Sequence, residues 1–276
     1  MEKIKQALER ARQERTTSSE PEQRREEKPT GGRDSARSTP LETRIEYSKT
    51  RTIEASVERL REKRIIVGQK NDAISDAYKF LRTHVLQRMR ANGWNALAIT
   101  SPMDGNGKTV TAINLAINLA REVNQTVLLV DLDLRRPSIR GYFVDEKIPG
   151  ISDYLLADRE LSEILFHPGL ERLVILPGDK SFANSSEMLS SPKVVQLVEE
   201  LKTRYPSRLV LFDMPPLLTC DDVLTFLPNI DAVMLVVEEG ETKKAELARA
   251  YDLLQNTNVI GTVLNKSVGS GSAYGY

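Results

Sequence analysis

A glycine-rich segment that ends in lysine and threonine carries the clearest chemical signal in the sequence. It reads SPMDGNGKT, follows the apolar run ALAIT (96–100) and precedes a stretch with helical periodicity. Glycines let backbone N–H groups turn inward around phosphate oxygens, and the N-terminus of the following helix favours the same anion. The spacing predicts a P-loop in which Lys108 reaches the β and γ phosphates of a nucleotide and Thr109 binds Mg²⁺.

The whole loop is expected to contact the nucleotide, although Pro102 stands where the usual P-loop pattern has its first glycine. An ordinary glycine-rich turn between a strand and a helix is the alternative interpretation. The expected nucleotide-binding residues of the loop are Asp104, Gly105, Asn106, Gly107, Lys108, Thr109 and Val110.

Two further segments place carboxylates at the ends of apolar runs. VLLVDLDLRRP carries Asp131, Asp133 and Arg135 at alternate positions, which share one face if the strand conformation continues. Two neighbouring carboxylates are costly unless a cation offsets them, so we expect Mg²⁺ here, with Arg135 as a third charge on the nucleotide. LVLFDMPPLL ends its apolar run at Asp213, which can hold Mg²⁺ directly or through water. A solvated strand end and a capping aspartate are the alternatives.

A fourth signal is weaker and concerns the nucleotide base. Asn265 ends the late apolar run in GTVLN, and its amide offers both a hydrogen-bond donor and an acceptor. We expect it to contact the edge of adenine.

The elements that must position these residues are short β-branched runs separated by helical segments. The runs are 96–100, 126–131, 172–176, 208–213, 232–237 and 260–265. Apolar runs of this kind suit strands covered on both faces, and alternation with helices predicts right-handed βαβ crossovers. The expected fold is α/β, of the P-loop NTPase type, with a mostly parallel sheet and helices on both faces. Ligands of such sheets bind at the carboxyl ends of the strands.

Composition divides the 276 residues into three parts. Residues 1–63 are highly charged and poor in large apolar side chains, so we expect disorder apart from a short amphipathic helix at 3–14. That helix is either a frayed solvated helix or a docking element for a partner. Residues 64–266 are the expected ATP-binding domain, and residues 267–276 a flexible tail.

Net charge, hydropathy and cysteine content indicate which partners and which cellular compartment to expect. The formal net charge is zero, which argues against nucleic acid as a partner. No apolar run approaches the roughly 20 residues that span a bilayer, and the single cysteine suits a reducing compartment. We therefore expect a cytoplasmic protein that a partner holds at the inner face of the cell membrane.

Together the motifs resemble those of the bacterial tyrosine kinases, over about residues 65–276. The resemblance lies in a Walker A loop that opens with Thr100 and Ser101, in the A′ box LLVDLDLRRP and in the Walker B box LVLFDMPP. Upstream, DAYKFLRT (76–83) is similar to a family motif on a helix that is implied to pack subunits into a ring. Asp76 and Lys79 stand where the family has Glu and Arg, and Arg82 is kept.

The resemblance implies an ATP-dependent protein-tyrosine autokinase that regulates exopolysaccharide or capsule biosynthesis and export. It implies ATP and Mg²⁺ as cofactors, with Mg²⁺ held by Thr109, Asp131 and Asp213, and leaves open whether Asp131 or Asp133 acts as the base. The implied phosphoacceptors are Tyr274 and Tyr276, phosphorylated in trans by a neighbouring subunit. The implied partners are a separate inner-membrane polysaccharide co-polymerase that activates the kinase, other subunits of the ring, and an opposing tyrosine phosphatase. The catalytic set is Lys108, Asp131, Asp133 and Asp213.

Two other functions remain as alternatives. A MinD/ParA-type ATPase switch has the same fold, but its P-loop usually carries an additional lysine where this chain has Met103. A non-catalytic scaffold gated by nucleotide would not need Lys108, Thr109, Asp131 and Asp213 all intact.

Overall fold

The computed structural model describes residues 50–68, 72–205 and 207–267. The expected helix at 3–14 and the two tail tyrosines, Tyr274 and Tyr276, lie outside these residues. What was predicted for them stays a prediction.

One sheet organises the described residues, and eight strands form it. In order across the sheet they run β1-β4-β5-β3-β6-β2-β7-β8, and every neighbouring pair is parallel except β4–β5. Their bounds are β1 Arg51–Thr52, β2 Ala96–Thr100, β3 Thr126–Asp131, β4 Phe166–His167, β5 Leu173–Leu176, β6 Arg208–Asp213, β7 Ala232–Glu238 and β8 Val259–Asn265. The six strands expected from the sequence are all present.

Ten α-helices connect the strands within the described ranges. Their bounds are α1 Val57–Glu62, α2 Ala73–Asn92, α3 Lys108–Ala120, α4 Ile139–Phe143, α5 Ile151–Ala157, α6 Leu161–Ile164, α7 Ser185–Leu189, α8 Pro192–Thr203, α9 Asp222–Phe226 and α10 Lys244–Leu253. A short 3₁₀ turn, Leu227–Asn229, follows α9. The longest helix, α2, is capped at its N-terminus by Asp72, whose Oδ1 accepts a hydrogen bond from the Ser75 N–H at 2.7 Å.

Helices cover the sheet on both faces because its central strands are apolar throughout. In β2, Leu97 and Ile99 join one buried cluster with residues of α2 and α3, while Ala96 and Ala98 join the other with residues of α8, α9 and α10. Successive residues of a strand point to opposite faces, so a run without polar positions requires cover on both sides. The expected α/β fold, with its mostly parallel sheet, is confirmed.

The folded part begins before residue 64, where composition alone placed its boundary. Arg51 and Thr52 pair with β4, and Leu60 of α1 is buried in the same cluster as α2 and α3. Arg59 ties α1 to the chain after β3, because its guanidinium donates to the carbonyl of Gly141 at 3.0 Å. A few apolar residues within a charged segment were enough to anchor it, and a composition average conceals them.

No helix in the described part of the chain combines the length and the apolar character needed to cross a bilayer.

Candidate active site

The loop between β2 and α3 is built around two glycines with positive φ. Gly105 has φ +81° and Gly107 has φ +89°, a region that favours glycine, and α3 starts at Lys108 immediately afterwards. The segment after β6 is hydrogen-bonded to the start of the loop, where the Leu217 N–H donates to the Ser101 carbonyl at 2.8 Å. A loop with two glycines of positive φ that leads directly into a helix N-terminus is suited to bind an anion.

Lys108 lies between two carboxylates, one from the turn that follows β3 and one from the end of β6. Its Nζ is 2.8 Å from Oδ2 of Asp133 and 3.9 Å from Oδ1 of Asp213. Burial by itself would lower the pKa of Lys108, but the negative charges of Asp213 and Asp133 outweigh it and raise the pKa above its usual value. The lysine is therefore cationic at any physiological pH.

Asp131 and Asp213 are neighbours in the sheet, each at the carboxyl end of its strand. They are register partners on β3 and β6, and both side chains are fully buried. Oδ2 of Asp213 accepts a hydrogen bond from the Thr109 hydroxyl at 2.6 Å. Oδ2 of Asp131 accepts backbone hydrogen bonds from Ser138 at 2.8 Å and Ile139 at 2.9 Å.

The second oxygen of each of these carboxylates lacks a hydrogen bond from the described residues. Neither Oδ1 of Asp131 nor Oδ1 of Asp213 accepts a hydrogen bond from the described residues. Burial, reinforced by the charge of Asp213, raises the pKa of Asp131 to about 7. Burial also raises the pKa of Asp213, despite the opposing effects of Lys108 and Thr109. Two buried carboxylates with unused oxygens and raised pKa values are a site short of positive charge.

The residues present fit a magnesium ion that is bound together with phosphate. Mg²⁺ is commonly held by one or two carboxylates plus substrate phosphates and water. The Thr109 hydroxyl and the unused oxygens of Asp131 and Asp213 supply hard oxygen ligands next to the loop. In the described ranges, no three His, Cys, Asp or Glu side chains are grouped so that they could hold a metal ion by themselves.

Arg135 does not join this group, contrary to the alternation expected for Asp131, Asp133 and Arg135. The strand ends at Asp131, and the chain then turns, with the Arg136 N–H donating to the Asp133 carbonyl at 3.1 Å. Arg135 instead lies against α9, where its Nε is 3.2 Å from Oδ1 of the fully buried Asp222. The turn brings Asp131 and Asp133 to Lys108 and directs Arg135 away from it.

Asn265 lies at the opposite side of the loop, at the end of β8. Its Nδ2 donates to the Asn106 carbonyl at 2.9 Å, so at least one of its donors is engaged with the P-loop. The expected contact with adenine stays a prediction, and the contact with the loop is a finding that the strand-end position alone did not suggest.

The other loop residues expected to contact the nucleotide differ in their exposure. Gly105 and Asp104 are exposed at the tip, and Oδ2 of Asp104 is 3.5 Å from Nη1 of Arg136. Val110, in the first turn of α3, packs its side chain against the buried cluster instead. Its expected contact with the nucleotide stays a prediction.

Sequence reasoning missed two residues that shape the site. A Cβ on Gly178 would lie 3.1 Å from Cγ of Asp131 and 2.3 Å from Cβ of Pro137, so only glycine fits beside the carboxylate. Glu238, at the end of β7, pairs with Lys266 at 2.9 Å next to the P-loop. A glycine after a strand and an acid at a strand end were both available signals, but nothing in their spacing linked them to the loop.

The charged residues of the DAYKFLRT helix are paired within the chain. Lys79 Nζ is 2.8 Å from Oδ1 of Asp76 on the same helix, and Arg82 Nε is 3.1 Å from Oε1 of Glu122. Any contact of these groups with another subunit would have to compete with these pairs.

Comparison with known proteins agrees with the geometry. A family model described as an AAA domain matches residues 95–268, more than half of the chain. The tyrosine-protein kinase YwqD of Bacillus subtilis is 30% identical over 205 residues, which cover 73% of this chain and 85% of that protein.

Solved structures point the same way. The kinase domain of the Escherichia coli tyrosine kinase ETK superposes with a TM-score of 0.66 at 27% identity and covers 82% of this chain and 94% of that domain. The septum site-determining protein MinD of Pyrococcus horikoshii, solved with Mg-ADP, reaches a TM-score of 0.53 at 23% identity, and shows a common fold only. With its P-loop and its paired strand-end carboxylates, the chain belongs to the bacterial tyrosine kinase family.

Proposed function

We propose that the chain transfers the γ-phosphoryl group of ATP to protein tyrosines, including its own Tyr274 and Tyr276. The observation that carries the proposal is the position of Lys108, 2.8 Å from Asp133 at the mouth of an anion-binding loop and beside the buried Asp131 and Asp213. A cation between phosphate and carboxylates can balance the charge that develops during phosphoryl transfer.

Each residue of the site has a role in this proposal. The backbone of the P-loop binds the phosphates, and Lys108 balances the negative charge on the transferred phosphoryl group. Thr109, Asp131 and Asp213 would hold Mg²⁺, which supplies charge neutralisation at the phosphate oxygens when bound. The acceptor hydroxyl has an ordinary pKa near 10, so a carboxylate must orient it and take its proton. Asp131 and Asp133 are the groups available for that task.

The acceptor tail would begin at the nucleotide site. Asn265 is 2.9 Å from the P-loop carbonyl of Asn106, and the tyrosines follow nine and eleven positions later. A glycine-rich coil of nine residues has a root-mean-square reach of about 17 Å. The tail could therefore approach its own site as well as a neighbour's, and reach alone does not select transfer in trans.

The biological setting follows from the family resemblance. We propose activation by a separate polysaccharide co-polymerase of the inner membrane, assembly into a ring when active, reversal by a tyrosine phosphatase, and a role in exopolysaccharide or capsule export. A ring that uses this helix would have to compete with the Asp76–Lys79 and Arg82–Glu122 pairs, which is consistent with a need for an activator.

A mixing experiment tests both kinase activity and the route of transfer. A full-length Lys108→Met chain, which keeps its tail, is incubated with Mg-ATP and an active chain truncated after Ser270, and phosphotyrosine is mapped by mass spectrometry. We expect label on Tyr274 and Tyr276 of the Lys108→Met chain. No label on the Lys108→Met chain in this mixture, together with labelling of the intact wild-type chain incubated alone at a rate per chain that is independent of its concentration, would contradict transfer in trans. Phosphate release by the intact chain without any phosphotyrosine would indicate an ATPase switch.

A further inference from the structure

The side chain of Asn265 reaches the peptide that joins Asn106 to Gly107 in the P-loop. Its Nδ2 donates to the Asn106 carbonyl at 2.9 Å, and its own backbone carbonyl accepts a hydrogen bond from the Glu239 N–H at 3.0 Å. The side chain that touches the loop is therefore anchored on the sheet, at the last position of β8.

Peptide geometry gives this contact a consequence for the anion site. In a trans peptide the carbonyl and the following N–H lie in one plane and point in opposite directions. Fixing the Asn106 oxygen on the β8 side directs the Gly107 N–H to the other side of the loop. That N–H immediately precedes Lys108 and the start of α3, where phosphate oxygens are expected.

Gly107 shows how closely the two segments approach. A Cβ built on Gly107 would lie 2.1 Å from Nδ2 of Asn265, whereas one built on Gly105 would meet no atom within 4 Å. Both glycines have positive φ, so both are strained by substitution, but only Gly107 is also in steric contact with the sheet.

The same peptide is held through the side chain of Asn106. Oδ1 of Asn106 accepts from the Met103 N–H at 3.1 Å, which closes the loop on itself. Asn106 also hydrogen-bonds to Glu238, whose pKa is lowered first by Lys266 and in part by Asn106. Residues at the ends of the neighbouring strands β7 and β8 thus converge on Asn106, Glu238 at its side chain and Asn265 at its carbonyl.

We infer that Asn265 is a positioning residue for phosphate binding, which acts by fixing the Asn106–Gly107 peptide. It contributes to the binding of any nucleoside diphosphate or triphosphate, whichever base the nucleotide carries. The inference rests on the proposed function only in taking the P-loop as the nucleotide site.

A comparison of two nucleotides that carry the same phosphates but different bases distinguishes this role from a contact with adenine. The affinities of Mg-ADP and Mg-GDP are measured by calorimetry for the full chain and for Asn265→Ala. We expect both affinities to fall by about tenfold, the effect of one lost hydrogen bond, with their ratio unchanged. Loss of affinity for ADP alone would overturn the inference and assign Asn265 to the base, and unchanged affinities for both would overturn it as well.

Asn258→Ala is the matched control. Asn258 lies just before the same strand, and its Nδ2 donates to the Asp231 carbonyl at 2.9 Å, the same bond at the opposite end of the sheet. We expect wild-type affinity for both nucleotides. An equal loss in this variant would show that the effect of Asn265→Ala arises from general destabilisation, and would overturn the inference.

Asn265→Asp keeps the size of the side chain but removes the donor, so it serves if the alanine variant does not fold. It should lose affinity for both nucleotides at least as strongly, and wild-type affinity would contradict the inference. Nucleotide binding by a chain that forms no phosphotyrosine would refute the kinase proposal while leaving this inference open to the same measurement. A wild-type chain that binds neither nucleotide would refute both.

Discussion

The two ends of the sheet each contain an aspartate–lysine ion pair of the same length. At the carboxyl end, Lys108 Nζ lies 2.8 Å from Asp133. At the amino end, Lys202 Nζ lies 2.8 Å from Asp231, whose other oxygen accepts backbone hydrogen bonds from Asn95 at 2.9 Å and Ala96 at 2.8 Å. Asp231 has a partner on each oxygen, and it joins the starts of β2 and β7.

The difference between the ends lies in the carboxylates around each pair. Burial would raise the pKa of Asp231, but Lys202 and the two backbone N–H groups lower it below its usual value. At the other end, Asp131 and Asp213 keep an oxygen without a hydrogen bond from the described residues, and their pKa values are raised. Bond length does not distinguish these two pairs, whereas the unsatisfied buried carboxylates beside Lys108 do.

Replacing each lysine by methionine should give the largest contrast. Lys108→Met should reduce autophosphorylation by at least about 10³-fold, because no cation then accompanies the transferred phosphoryl group. Lys202→Met should leave the rate within about twofold and lower the free energy of unfolding by about 1 kcal/mol. Rates from phosphotyrosine labelling and unfolding curves in denaturant check both. Comparable loss of activity in the two variants would remove the distinction between the ends.

Replacing the aspartates by asparagine should separate activity from stability. Asp131→Asn should lower Mg²⁺-dependent labelling by about 100-fold, because an amide is a poor ligand for a hard cation. The same change should raise the free energy of unfolding of the nucleotide-free protein at pH 8 by about 1–3 kcal/mol, because it removes a buried charge. The Asn side-chain oxygen can still accept from Ser138 and Ile139.

Asp231→Asn is the control for that variant, and its effects should have the opposite pattern. We expect activity close to wild type and a free energy of unfolding lower by about 1–2 kcal/mol, since the amide cannot form the ion pair with Lys202. If Asp131→Asn were destabilising at pH 8, the site would not be short of positive charge as described.

The change in stability per pH unit should be smaller than the changes in activity predicted above. The pKa of Asp131 is raised from 3.8 to about 7 in the folded state, so between these values the folded protein binds more protons than the unfolded chain. Its contribution to stability therefore falls as pH rises through this window, by at most about 1.4 kcal/mol per pH unit. The lowered pKa of Asp231 acts in the opposite sense, with stability lost as pH falls through its folded value.

Denaturant unfolding between pH 4.5 and pH 8 measures this slope. Wild type should lose stability relative to Asp131→Asn as the pH rises. Parallel curves for the two proteins would mean that Asp131 is ionised throughout the range.

The sequence predicted the central strands well because each one is a continuous apolar run. β2, β3 and β6 have the expected bounds, and β5, β7 and β8 differ by one residue at one end. β1 and β4 were not predicted, since each contains two residues and is defined by backbone pairing rather than by an apolar pattern. Long-range backbone hydrogen bonds of this kind produce no recognisable pattern in the local sequence.

The residues of the site that lie at strand ends were predicted from the sequence, and the contacts made by loops were not. Asp131 and Asp213 meet because parallel strands bring their carboxyl ends to one edge, and Lys108 joins them through the P-loop. The partner of Arg135 could not be predicted, because Asp222 is 87 residues further along the chain. The turn after β3 also directs the Arg135 side chain away from Lys108. Contacts set by loops require the fold itself.

The strand order also determines when the site can form as the chain is made. β2, which leads into the P-loop, pairs only with β6 and β7, whose first residues are Arg208 and Ala232. Closing so long a loop costs entropy before any strand pairing repays it, so this pairing is slow compared with local helix formation. A nascent chain must therefore release the second half of the domain from the ribosome before β2 has a neighbour. Nucleotide binding by a growing chain would therefore report that β6 and β7 have been added, since chains that end before Arg208 lack both of the strands that flank β2.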